Sequence, residues 1–180
     1  MRRVILIGLL VLAPYITARA QYYYNWSIGG NLGLGIASYK GEDAIGWGLT
    51  VGFNKAIGNT KWRWGLDGGG LVLGGEGKSV KKNEDAFIHP TFVYLGGVVD
   101  YCFLSKGIID IYARGGIAPA YQNNIYYYHV EPRFAALGMA GVGVDIGVMR
   151  ISLTNYISQS GAFMLLWTIG CHFGKIAAPK

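Results

Sequence analysis

The sequence has few of the residues from which proteins build metal and nucleophilic sites. Among 180 residues there are two cysteines and three histidines, and charged residues make up only 14% of the chain. His89, His129 and His172 show no mutual spacing that suggests a zinc site. The sequence therefore gives no reason to expect a metal or a cofactor.

Beyond residue 20 the chain also lacks a long apolar run, so no membrane helix is predicted there. The N-terminus has a shorter run: a basic Met-Arg-Arg precedes apolar residues 4–13, and Ala-Arg-Ala at 18–20 has the small-x-small pattern of a cleavage site. No cysteine comes directly after that site, which argues against a lipoprotein. We predict a signal peptide at residues 1–20, cleavage before Gln21, and one domain at residues 21–180.

Strong net charge is the next missing feature. The whole chain carries +6, and loss of Arg2, Arg3 and Arg19 with the signal peptide leaves +3. Most of the remaining lysines fall in predicted loops, where charge is normally solvated. This balance gives no argument for a nucleic-acid partner.

Glycine and large apolar residues are abundant, and they alternate. The chain has 29 glycines, 52% hydrophobic and 14% aromatic residues. Between residues 26 and 36, Trp26, Ile28, Leu32, Leu34 and Ile36 share one face, whereas glycine and small residues occupy the other. A period of two is the period of a β-strand. An apolar face backed by glycine predicts a barrel whose outer surface contacts lipid.

Turn signals divide the chain into eight strand-length segments, an even number as in outer-membrane barrels. The predicted strands are 25–38, 44–55, 61–74, 87–104, 107–121, 132–148, 150–157 and 162–174. Tight links are predicted after the second, fourth and sixth strands, the last of them at Met149. Longer polar links are predicted at residues 40–43, 75–86, 122–131 and 158–161. In the third strand the apolar positions shift after Gly68-Gly69-Gly70, which suggests a bulge.

Aromatic residues collect near the ends of the predicted strands. One group falls at the end with short turns: Tyr22–Tyr24, Trp26, Phe53, Trp62, Trp64, Tyr101, Phe103 and Phe173. A smaller group falls at the opposite end: Trp47, Tyr121 and Phe163. Such rings favour the boundary between membrane and water, so we interpret the two groups as aromatic girdles.

With these patterns the chain resembles the small eight-stranded outer-membrane β-barrel proteins, and is similar to the transmembrane domain of outer-membrane protein A. The resemblance implies an all-β, antiparallel up-and-down transmembrane barrel. It also implies a last strand that the barrel-insertion machinery recognises by a terminal aromatic residue. Phe173 matches that residue, but Gly174–Lys180 follow it, which departs from the family pattern.

Charged residues are few inside the predicted strands, and seven of them stand out because by parity they can face the lumen. They are Arg63, Asp67, Asp100, Asp110, Arg114, Asp145 and Arg150. Asp145 and Arg150 flank a tight turn and are expected to pair diagonally, while Asp110 and Arg114 share a face of one strand. Because eight strands enclose just enough room for side chains, ion pairs and hydrogen bonds are the expected filling. The alternative is a narrow gated path for ions or protons.

Two further features have a structural and a functional interpretation. Cys102 and Cys171 are predicted on opposite faces of distant strands, so we expect two free thiols. Tyr126, Tyr127 and Tyr128 suit a surface-contact loop, but they also suit a strand extension whose rings rest among lipid headgroups.

The predicted function is that of an outer-membrane barrel with a structural, anchoring or surface-interaction role. The alternatives are a narrow barrel that conducts ions or small solutes and, third, an outer-membrane enzyme that acts on lipid. We do not expect an enzyme, since no histidine, serine and acid set is apparent. The expected partners are outer-membrane lipid, the insertion machinery and an unknown extracellular ligand. We expect a monomer.

Overall fold

The computed structural model describes residues 24–39, 42–58, 60–74, 87–106, 108–126 and 130–176. The predicted signal peptide and its cleavage site lie outside the described residues, as do Tyr22 and Tyr23. Among the described residues no helix is long and apolar enough to cross a membrane.

Eight antiparallel strands close into a barrel, which confirms the predicted fold class. They are β1 (Tyr24–Tyr39), β2 (Glu42–Ala56), β3 (Trp62–Gly74), β4 (Phe87–Lys106), β5 (Ile109–Tyr126), β6 (Val130–Ile146), β7 (Met149–Ser158) and β8 (Ala162–Ile176). Each strand pairs with its neighbours in sequence, and β1 pairs with β8 to close the barrel. We call the end with the β2–β3, β4–β5 and β6–β7 links the turn end, and the other the loop end.

The predicted faces of the strands agree with the structure. On β1, Leu34 and Ile36 point outward and are 62% and 64% exposed, whereas Asn31 and Ala37 are buried inside the barrel. The same alternation continues on β2, where Trp47 is exposed and Gly48 is buried. The outer surface is consequently a continuous apolar belt.

The bulge predicted in β3 is absent, and that prediction is wrong. The β2–β3 and β3–β4 ladders both continue through Gly68, Gly69 and Gly70 without a register shift. The apolar positions change because Leu71 and Leu73 occupy inward positions and are buried in the lumen. The apolar side chains have therefore moved to the other face of a regular strand.

Link positions also differ from the prediction. The tight link between β6 and β7 is Gly147-Val148, and Met149 already belongs to β7. Gly147 has φ of 60°, a left-handed conformation that a two-residue hairpin turn needs and that glycine adopts easily. Three of the four longer links are shorter than predicted: residues 42–43 belong to β2, residues 122–126 and 130–131 belong to β5 and β6, and Ser158 belongs to β7. Of the four predicted long links, only residues 75–86 lie entirely between strands.

The rim at the loop end is stepped. The β3–β4 ladder stops at the pair Val72 and Thr91, and the β6–β7 ladder stops at Leu137 and Ser158. In contrast, β4–β5 and β5–β6 pairing continues to Tyr126 and Val130. Strands β4, β5 and β6 therefore project beyond their neighbours.

Candidate functional site

Tyr112 lies at the centre of the polar half of the lumen. It points inward from β5, is buried, and pairs in register with Gly143 on β6. A Cβ atom at Gly143 would overlap the ring of Tyr112, so the glycine provides the room that the ring occupies.

Three arginines surround this ring. The guanidinium carbons of Arg63, Arg150 and Arg114 lie 4.9, 5.5 and 5.6 Å from the ring centroid. The negative face of an aromatic ring attracts cations at such distances. Tyr112 therefore helps to hold three like charges in a narrow space.

Four aspartates offset those charges, and the closest pairs join neighbouring strands. Arg150 donates from Nε and Nη2 to the two oxygens of Asp145, at 2.8 and 3.0 Å. Arg114 binds Asp100 in the same bidentate way, at 2.7 and 3.0 Å. Paired geometry of this kind gives the strongest hydrogen bonds between guanidinium and carboxylate groups.

Arg63 and Arg114 connect the pairs into one cluster. Arg63 Nη1 lies 3.4 Å from Asp110 and 3.5 Å from Asp145, and its Nε lies 3.8 Å from Asp100. Arg114 also reaches Asp67 at 3.2 Å. The structure thus brings all seven predicted lumen charges together. Asp110 and Arg114 share a face as predicted, but each has other partners. Asp110 contacts Ser105 and Arg63, whereas Arg114 binds Asp100.

Tyrosines link the cluster to the rest of the lumen. Tyr94 donates a hydrogen bond of 2.6 Å to Asp67, and its hydroxyl lies 3.3 Å from that of Tyr156. Tyr94, Tyr112 and Tyr156 are not among the lumen residues predicted from the sequence. Their parity was a usable signal, since Tyr94 lies an even number of residues from Asp100 on β4 and so faces the same side.

A layer of apolar side chains fills the lumen next to the charges, and beyond it at the loop end Gln122 donates a buried hydrogen bond of 2.6 Å to Asn124. This layer corrects the expectation that ion pairs and hydrogen bonds replace an apolar core. Leu71, Phe92, Leu137 and Leu166 are completely buried there. The whole cluster, which we call the apolar layer, consists of Ala37, Tyr39, Leu71, Leu73, Phe92, Tyr94, Val98, Ala118, Ala120, Leu137, Met139, Tyr156, Ala162, Met164 and Leu166. The physical reason is that inward positions between the charges and the rim carry large apolar residues, and a barrel of eight strands has only enough room inside for side chains.

The two thiols lie on opposite faces of the barrel wall, and one described histidine faces the lumen. Both cysteines are free as predicted: Cys102 is buried in the lumen and Cys171 is exposed on the outer face. His172 points inward and is buried. The side chain of His89 and the whole of His129 lie outside the described part. Among the described residues, no three potential ligand side chains come together to hold a metal ion.

Of the three tyrosines proposed for surface contact, the structure describes only the backbone of one. Tyr126 ends β5, but its side chain lies outside the described part, as do Tyr127 and Tyr128. The side chain of Tyr24 also lies outside the described part, and the girdle residues whose side chains are described are placed as predicted. Phe53 contacts Trp64 and Trp62 contacts Tyr101 at the turn end, with ring centroids 5.9 and 4.8 Å apart.

Comparison with known proteins supports the fold. No family model and no curated protein matches the chain. Among solved structures, the chain is similar to Neisserial surface protein A, with a TM-score of 0.58, 10% identity, and coverage of 83% of this chain and 97% of that one. It is also similar to the outer membrane enzyme PagL, with a TM-score of 0.58, 12% identity, and coverage of 81% and 98%.

A third similar structure is Ail, the attachment invasion locus protein of Yersinia pestis, in complex with the heparin analogue sucrose octasulfate. The TM-score is 0.53 at 15% identity, over 82% of this chain and 97% of that one. The chain therefore has the fold of small eight-stranded outer-membrane β-barrels.

Proposed function

We propose that the chain is a monomeric barrel of a bacterial outer membrane, exported by its signal peptide, that acts without turnover through anchoring, membrane integrity or surface contact. The observation that carries the proposal is the contrast between the two surfaces of the wall. Buried side chains occupy both halves of the lumen, whereas large apolar side chains cover the outside. A wall of this kind suits lipid outside and a filled interior.

The spacing of the aromatic girdles supports a membrane location. Phe163 and Phe173 both point outward on β8, ten residues apart. At about 3.3 Å per residue and a tilt of about 40°, they are separated by roughly 25 Å along the barrel axis. That height equals the apolar band of known outer-membrane barrels.

The binding partners of the lumen carboxylates support a role without catalysis. Asp100 and Asp145 are each held by a bidentate arginine. Asp67 accepts from Tyr94 and lies beside Arg114, and Asp110 lies beside Arg63. A general base must be within reach of a substrate proton, and these buried groups are instead occupied by other side chains. PagL is described as an enzyme, but at 12% identity it shares only the fold with this chain.

The proposed partners follow from the same surfaces. Outer-membrane lipid surrounds the apolar belt, and the insertion machinery recognises β8. An extracellular ligand would bind at the projecting strands of the loop end. Because Ail was crystallised with a heparin analogue, a polyanion is the first ligand to test there.

Gel mobility tests the location. Cells are fractionated into periplasm, inner membrane and outer membrane, and each fraction is run in SDS with and without boiling. Faster migration of the unheated protein from the outer-membrane fraction is expected for a closed barrel. The proposal is contradicted if the protein is found in the soluble periplasmic fraction as a single band whose mobility does not change on boiling.

Conductance tests the filled lumen against the alternative of a narrow channel. The refolded protein in planar bilayers should give no unitary current steps. Replacement of both Asp100 and Arg114 by alanine should lower stability without creating steady single-channel currents. Regular current steps from the unaltered barrel would establish the channel instead.

A further inference from the structure

A notch lies where the rim changes height between β6 and β7. Above the pair Leu137 and Ser158, residues 130–136 of β6 have β5 on one side and no described strand on the other. The β7–β8 turn forms the floor of the notch. The volume of the notch is about 260 Å³, and the notch is lined by Arg133, Phe134, Ala135, Gln159 and Ser160.

The backbone of Phe134 faces this notch. Gln159 N–H donates to the carbonyl of Ala136 at 2.9 Å, so the polar backbone groups of Ala136 point toward the β7 side. In an antiparallel sheet the direction of these groups alternates from one residue to the next. Phe134, two residues from Ala136, therefore directs its N–H and C=O to the same side, into the notch.

The floor of the notch is fixed by local hydrogen bonds. Ser160 N–H donates to Ser158 Oγ at 3.2 Å, and the two hydroxyl oxygens are 2.9 Å apart. If Ser158 donates its proton to Ser160, the Ser160 hydroxyl donates into the notch. Gly161, with φ of 86°, completes the turn. Arg133, the Phe134 N–H and Ser160 thus line one notch, and together these donor groups suit an anion.

The depth of the notch identifies the source of that anion. Ser160 is three residues from Phe163 of the loop-end girdle, a distance of at most about 10 Å along the chain. Phe134 is 85% exposed, and its ring packs edge-on against that of Tyr121 at 5.5 Å. Aromatic rings of this kind sit at the membrane boundary. The notch therefore lies at the level of the lipid headgroups.

An added peptide strand suits this edge poorly. Pro132 has the same parity as Phe134, so its nitrogen faces the open side of β6 without a hydrogen to donate. A strand laid along residues 130–136 would lose a hydrogen bond at that point. The edge is consequently better suited to a compact group than to an extended chain.

We propose that the notch binds the phosphate group of an anionic lipid of the outer leaflet, through the Arg133 guanidinium, the Phe134 N–H and the Ser160 hydroxyl. This inference rests on the proposed outer-membrane location. Arg133 then contacts the phosphate, while the ring of Phe134 lies among the acyl chains below it.

Lipid titration of the full barrel in phosphatidylcholine nanodiscs tests the proposal. The probe is diphosphoryl lipid A, and binding is followed by the amide resonance of Phe134 and by lipid retention in native mass spectrometry. Arg133→Gln should weaken binding about tenfold, as expected for loss of one charge-assisted hydrogen bond. Lys61→Gln removes an exposed charge at the turn end and should change nothing.

Three outcomes would overturn the inference. Arg133→Gln could bind lipid A as well as the unaltered barrel, or dephosphorylated lipid A could bind equally well. Inorganic phosphate could bind as tightly as the lipid, which would make the notch a site for free phosphate. If the barrel passes the gel test, any one of these outcomes contradicts the lipid site alone. If the barrel fails the gel test, the membrane location is contradicted.

Discussion

Asp145 and Arg150 are direct partners across the β6–β7 ladder, and their side chains form two parallel hydrogen bonds of 2.8 and 3.0 Å. The sequence predicted a diagonal pair across a turn at Met149. Because Gly147 and Val148 form the turn instead, the two residues come to face each other directly. Both side chains are almost fully buried.

Loss of one partner in this pair should be costly. Asp145→Ala leaves Arg150 buried without its bidentate carboxylate, and we expect the free energy of unfolding to fall by about 3–5 kcal/mol. Urea titration in vesicles, followed by tryptophan fluorescence, measures the change. Lys55→Ala removes an exposed charge from β2 and should have an effect within about 0.5 kcal/mol. Equal effects of the two substitutions would mean that the pair is solvated.

Gly143 should be intolerant of even one added methyl group. Gly143→Ala directs its Cβ into the ring of Tyr112, so ring and arginines must shift. We expect a loss of about 1–3 kcal/mol, the usual cost of overpacking. Gly115→Ala is the matched control, since a Cβ there meets no atom within 4 Å. The same urea titration compares the two, and a smaller loss for Gly143→Ala than for Gly115→Ala would refute the packing argument.

Strand faces and lumen charges were predictable because both depend only on parity. The alternation between Trp26 and Ile36 defines the outer face, and inward charges such as Arg63 then follow. Pairing was not predictable, since it depends on which strands approach across the lumen. Asp110 and Arg114 are close in sequence, yet Arg114 binds Asp100 on the neighbouring strand.

The apolar layer escaped prediction for a related reason. The sequence shows a change of face after Gly68-Gly69-Gly70, but a bulge and a switch of apolar residues to the lumen give the same sequence pattern. Only the strand register separates them, and the register is regular through Leu71. The notch at Arg133 depends on the difference in length between β6 and β7, which turn signals locate only approximately.

The two thiols should differ in accessibility. Cys171 is exposed on the outer wall, while Cys102 is buried among the lumen charges. N-ethylmaleimide, which partitions into membranes, should label Cys171 in the folded barrel and both thiols after boiling in SDS. Mass spectrometry of the digested protein counts the labelled sites. Cys171→Ser should abolish labelling of the folded barrel, and label on Cys102 in that variant would show that reagent enters the lumen.

Leu166 and Leu34 provide a direct test of the filled lumen. Both are leucines on paired strands, but Leu166 points into the lumen and Leu34 points outward. Leu166 is 0% exposed in the apolar layer, and Leu34 is 62% exposed on the outer belt beside Trp167. Leu34→Ala should cost about 2 kcal/mol of unfolding free energy, the value of the apolar surface that it no longer transfers out of water. Leu166→Ala loses the same transfer free energy and also leaves a cavity, so we expect the free energy of unfolding to fall by about 3–5 kcal/mol. In a water-filled channel the order reverses, since Leu166 would remain in contact with water in the folded barrel and would gain little from folding. The order of the two losses in urea titration therefore distinguishes a packed lumen from an open one, independently of any conductance measurement.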